Sequence, residues 1–159
     1  MNAVDILKYG HQTVLHTIDG LNEPDWETAN VCGVWSVKDI VAHLASYEHV
    51  LVEVLDGFLG GGPTPYLDKF TDPDGRFNDT EVAARKGRTV GEVLAEYNDT
   101  YTQVAARVAR IPVETLRQTG TLPWYGMEYA LDDFIVYGYY GHKREHSAQI
   151  AVFRDRMAR

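Results

Sequence analysis

Ser36-Val37-Lys38-Asp39-Ile40-Val41-Ala42-His43-Leu44 reads as the opening of a helix, and the class of the fold turns on that reading. The Ser36 hydroxyl can accept the hydrogen bond of an orphan first-turn amide while Asp39, three residues on, reaches back, the two halves of a capping box. Downstream, Val37, Ile40, Val41, Leu44, Leu51 and Leu55 make one broad apolar face, and the helix is expected to stop by Gly57 or soon after. His43 falls at the edge of that face, between Ile40 and Tyr47.

The same spacing recurs to either side. Val4, Leu7, His11, Val14, Ile18 and Leu21 alternate steps of three and four and predict a first helix ending near Gly20. Glu23-Pro24-Asp25-Trp26 follows as a turn or short helical piece, since proline is tolerated in a first turn but not in an interior. Beyond the opening helix, Gly60-Gly61-Gly62-Pro63-Thr64-Pro65 and Asp72-Pro73-Asp74-Gly75 make residues 57–88 a long crossover. Its Tyr66, Phe70 and Phe77 are expected to pack over the helices, with a short helix at 79–85. Thr89 and Glu92 repeat the capping box, and Val90, Val93, Leu94, Tyr97, Tyr101, Val104, Val108 and Ile111 carry a third helix to Pro112. Residues 119–127 have no helical period and read as loop. The final helix is expected to run from Leu131 to Met157, with Leu131, Ile135, Tyr139, Ile150 and Phe153 on its apolar stripe. Four long amphipathic segments and no alternating strand pattern predict an all-α four-helix bundle, a single domain over residues 1–159.

At 159 residues and 45% hydrophobic content the chain can bury a core without covalent staples. Fifteen basic against 23 acidic residues give a net charge of −8, a field that repels phosphate backbones and anionic lipid, so neither nucleic acid nor a membrane is expected as a partner. No window approaches the roughly 18 apolar residues of a membrane span. A single cysteine, Cys32, and no secretory-type N-terminus point to the reducing cytoplasm.

Six histidines remain to be sorted. On the final helix, Gly141-His142-Lys143-Arg144-Glu145-His146 sets two of them about 40° apart and about 6 Å along the axis, so both imidazoles can reach one ion. Gly138 and Gly141 leave room there for another helix or a ligand at the backbone. His16 falls off the first helix's stripe, and His49 lies about 240° round the helix from His43. His11, His43, His142 and His146 are the inward candidates. The pair on the final helix suits metal ligation and core packing equally well by spacing alone, with His43 the third ligand in the first case. His11 reads as a core residue that could also border a ligand. The string also matches the H-x-x-E-H of inverted zinc proteases, but only 13 residues follow His146 and the further acidic ligand has no place. Glu145 is left to surface ion pairs or to orienting a histidine from behind.

Trp35 to Leu44, followed about a hundred residues later by Gly141-His142-Lys143-Arg144-Glu145-His146-Ser147-Ala148-Gln149-Ile150, resembles the DinB/YfiT-like superfamily over nearly the whole chain. The resemblance implies a bundle of up-down-down-up order with the long crossover between its second and third helices. It also implies a divalent metal, zinc, nickel or iron, held by His43, His142 and His146. Members include thiol-dependent transferases that use mycothiol or bacillithiol and metal-dependent hydrolases, often homodimeric. A low-molecular-weight thiol cosubstrate and a homodimer are therefore expected too. Phe77-Asn78-Asp79 and Gly87-Arg88-Thr89-Val90-Gly91-Glu92-Val93-Leu94 look like the ClbS/DfsB branch, which includes a hydrolase of an electrophilic cyclopropane.

Three neutral imidazoles on a divalent ion would leave open positions at which water or a thiolate becomes a nucleophile at neutral pH. The expected class is attack on a small electrophile, by hydrolysis or thiol transfer; the alternative is a non-catalytic binding, sequestration or protective protein on the same bundle. Tyr47 and Tyr139, on the faces that carry the ligands, are the pocket candidates, and Trp35 is expected to anchor the second helix.

Overall fold

Both expected capping boxes form. The Asp39 amide donates to Ser36 Oγ (3.1 Å) while the Ser36 amide donates to Asp39 Oδ2 (3.1 Å). Thr89 and Glu92 repeat the exchange at 3.1 and 3.3 Å. These caps satisfy amides that a helix start leaves without partners, which is why the two boundaries could be read locally. The structure, a computed structural model, describes residues 2–159, and among these every regular element is helical.

The elements are α1 (Ala3–Ile18), α2 (Glu23–Trp26), α3 (Val37–Phe58), α4 (Pro65–Thr71), α5 (Phe77–Ala84), α6 (Val90–Val108), α7 (Val113–Leu116), α8 (Leu131–Ile135), a π-helical turn (Val136–Gly141) and α9 (His142–Met157). One isolated bridge, between Cys32 and Trp35, ties the connector ahead of α3. α3 is the axis: Val37, Ile40, Val41, Ala45, Val50, Leu51 and Leu55 are wholly buried, and α6 runs along it as its principal neighbour. α1 packs along α9 and the π turn. No helix of the described residues is long and apolar enough to cross a membrane.

The crossover is more ordered than its glycines and prolines suggest. Pro65 takes a first-turn position of α4, and the Glu53 carboxylate accepts from the Tyr66 and Leu67 amides (3.0 and 2.7 Å), a cap supplied by another helix. Phe77 enters the core, and Tyr66 and Phe70 pack against it, as expected. Arg85, 2% exposed, donates to Glu81 and Glu96 (2.7 Å each) and so joins α5 to α6.

The last helix departs from expectation. It is not one continuous α-helix, because residues 136–141 form a π turn. In an α-helix a residue four positions on lies about 40° ahead, and the wider π turn takes that advance back. Ile135, Tyr139 and Lys143 are consequently all buried on one line, and a lysine occupies the core-facing seam. Gly138 and Gly141 are not where another helix comes close. A Cβ at Gly138 would meet the Phe134 ring at 3.2 Å, and one at Gly141 the Val136 carbonyl at 3.4 Å, both within the same helical run. The close helix approach is at Gly10 of α1, whose added Cβ would stand 3.6 Å from Tyr140 Cα.

Candidate metal centre

His43 on α3, His142 at the start of α9 and His146 one turn later come together although about a hundred residues separate the first from the others. Nε2 of His142 lies 2.9 Å from Nε2 of His43 and 3.0 Å from Nε2 of His146. One ligand atom from each lies within 4.8 Å of the others. His43 and His146 are buried and His142 half-buried. The His43 ring is wedged between Trp35 (4.8 Å) and Tyr47 (4.7 Å), so the expected anchor of α3 also orients its histidine.

Burial and mutual repulsion keep the rings neutral. Desolvation, then His142 and His146, lower the His43 pKa to about 2. Desolvation, His146 and Lys143 lower that of His142 to about 4, against a hydrogen bond with the Gly138 backbone. Desolvation also lowers His146, opposed by Gln149 and by the charge of Glu145. Neutral imidazole is the form that binds a metal.

Three nitrogens aimed at one point suit zinc, nickel or iron(II). Tetrahedral zinc donors at 2.0–2.1 Å stand about 3.3 Å apart. The spacings of 2.9 and 3.0 Å are a few tenths shorter, which small ring rotations relieve. Nδ1 of His146 lies 2.8 Å from Gln149 Oε1, and with the amide oxygen inward that ring donates from Nδ1 and presents a bare Nε2. Among the described residues His43 Nδ1, though buried, has no hydrogen-bond partner, so packing holds that ring. The residues fit the group.

A cleft of about 350 Å³ opens beside His142, bordered by Tyr47, Phe70, Tyr125, Phe134 and Glu145, with Gly138 and Gly141 on its wall. The glycines thus border space a ligand can enter. Tyr47 faces this cleft; its hydroxyl donates to Asn78 Oδ1 (3.2 Å), and burial raises its pKa against that hydrogen bond. Tyr139 does not face it: wholly buried, it donates to the Tyr47 carbonyl (2.7 Å) and ties α3 to the π turn. Glu145 is exposed at the rim. His11 stands apart from the three, stacked on Tyr101 at 3.8 Å. His49 contacts Glu96 Oε1 (2.9 Å), and His16 is exposed. The residues missed from sequence are Gln149, three positions from His146, whose spacing on the helix was a usable signal, and Phe134 and Tyr125, which carried none.

A family model described as the DinB superfamily matches residues 6–150. No curated protein matches the sequence. A crystal structure of a Streptococcus pneumoniae protein superposes with a TM-score of 0.77 at 11% identity, over 96% of this chain and 88% of that one. The colibactin self-resistance protein ClbS, solved in complex with double-stranded DNA, superposes with a TM-score of 0.73 at 12% identity, over 93% and 90%. The ClbS complex overturns the expectation that nucleic acid is excluded as a partner. Net charge describes the distant field, whereas contact depends on local groups, so the −8 total does not decide the question.

Proposed function

The chain belongs to the DinB superfamily, and from that premise we propose that it is a metal-dependent enzyme acting on a small electrophile at a centre held by His43, His142 and His146. The observation that carries this reading is the convergence of three neutral imidazole nitrogens beside an aromatic-walled cleft. A bound zinc, nickel or iron(II) ion would supply Lewis acidity to a water or a low-molecular-weight thiol. The chain's own groups do the rest. Gln149 holds the His146 tautomer, Tyr47 offers a hydroxyl at the cleft wall, and Phe70, Tyr125 and Phe134 take up an apolar substrate body and exclude bulk water.

The test is elemental analysis of protein purified without a histidine tag or chelator, followed by turnover of electrophiles with water or small thiols. Stoichiometric metal in the wild type, its loss in His142→Ala and turnover that follows metal content are the expected results. Metal-free wild-type protein that cannot be reconstituted sinks the reading.

The likeness to ClbS favours a second reading, a protective protein that takes up a reactive small molecule, with duplex DNA a partner to be tested by gel shift. Stoichiometric binding of an electrophile without turnover, unaffected by His43→Ala, would select it.

A further inference from the structure

α9 leans chiefly on α1, and its direct contact with α3 is slight. The candidate metal centre nevertheless requires α9 and α3 in one rotational register, because His43 comes from one helix and His142 and His146 from the other. Two buried ties join this helical run to α3. The first is the Tyr139 hydroxyl on the Tyr47 carbonyl. The second is an ion pair between the Lys143 ammonium and the Glu48 carboxylate, whose residues are 1% and 0% exposed. Residues 139 and 143 thus bind the consecutive residues 47 and 48, and His142 sits between the two ties.

The ion pair is a poor device for stability. Among the described residues its charged atoms have no hydrogen-bond partner beyond the pair, and Lys143 Nζ otherwise lies over the faces of Tyr97 and Tyr101, at 5.4 and 5.6 Å. A buried pair with so few supporting hydrogen bonds does not outperform apolar residues of similar volume. It does have a property they lack. An apolar seam tolerates a helix that slides or rotates, whereas a misregister here strands a charge in the core. The α1 side keeps the lysine stem in place: a Cβ at Gly10 would stand 3.4 Å from Lys143 Cδ.

We propose that Glu48 and Lys143 are positioning residues that lock the rotation of α9 against α3 and so hold His142 and His146 onto His43. The consequence for metal binding rests on the three-histidine reading; the consequence for ring geometry does not.

The double variant Glu48→Leu/Lys143→Met removes both charges at similar volume and avoids the lone buried charge that a single change would leave. Urea unfolding is expected to find it at least as stable as wild type. In metal-free protein, ¹⁵N imidazole spectra should retain the contact between His142 and His146, which share a helix. They should lose the contact between His43 and His142, which crosses helices. Zinc titration should show binding about tenfold or more weaker, the range of residues that orient ligands. If the variant does not fold, Glu48→Gln/Lys143→Met, which also removes both charges and keeps the shape of residue 48, is read by the same two measurements. Retention of the cross-helix ring contact overturns the lock. Wild-type protein with no zinc affinity sinks the metal reading instead, and the ring contact still decides the lock.

Discussion

α3 and the C-terminal run Leu131–Met157 deliver histidines to the same point by opposite means. α3 is an uninterrupted helix with a capping box, and 16 of its 22 residues are buried. α9 buries four of 16 and follows a π turn. A histidine on a helix enclosed by core is placed by the helix's own periodicity. One on a mostly solvated helix is placed by a few specific contacts: the π turn behind it, the Glu48–Lys143 pair beside it and Gln149 ahead. The second kind of placement should be the more fragile.

Deleting Gly138 tests that contrast most severely. Closing the π turn to an α turn rotates α9 by about 100°, carrying Lys143 and both histidines away from α3. Zinc affinity is expected to fall by more than about 100-fold, beyond the loss on removing a supporting residue, while circular dichroism keeps its helical signal. Unchanged affinity would show that the π turn does not set the register.

Gln149→Ala should weaken zinc binding by roughly 10–100-fold through the freed His146 ring. Since His43 Nδ1 has no such partner, the comparison predicts that the α9 side alone depends on a polar support.

Acid should act on the core behind the site as well. Desolvation, followed by Lys143, lowers the His11 pKa from 6.5 to about 3, and its buried Nδ1 has no hydrogen-bond partner among the described residues. A depressed pKa leaves stability intact above 6.5 and erodes it as pH falls toward 3, because the unfolded chain takes up the proton first. Between pH 6.5 and 5 this ring contributes a loss of about 2 kcal/mol. Urea unfolding of His11→Phe across that interval should be flatter by that amount, and an identical slope would count against it.

The smallest effect is expected at α3. Ser36→Ala removes half of its capping box and should cost about 1 kcal/mol in urea unfolding, with zinc affinity unchanged because core packing holds His43. A large affinity loss would mean that α3 is no better anchored than α9.

The helices with strong local signals are legible in the sequence: the caps at Ser36 and Thr89, the apolar stripes, and the turn between His142 and His146. α4 is not, because glycine and proline dominate its approach and the carboxylate that caps it comes from Glu53, on another helix. The π turn carries no periodic signature over six residues, so nothing in the sequence marks Lys143 as buried beside two histidines. Composition misleads in one place: a net charge sums over the whole surface, whereas contact with nucleic acid depends on which charges stand together.

By itself the sequence determined the all-helical class and the one-turn separation of His142 and His146, because capping and helical spacing act within a few residues of one another. Only the tertiary structure decided that Lys143 meets Glu48, that Tyr139 is a strut and not a cleft wall, and that three imidazoles share one point. Those outcomes depend on how one helix is rotated against another, and that rotation is set by contacts between residues far apart in the chain.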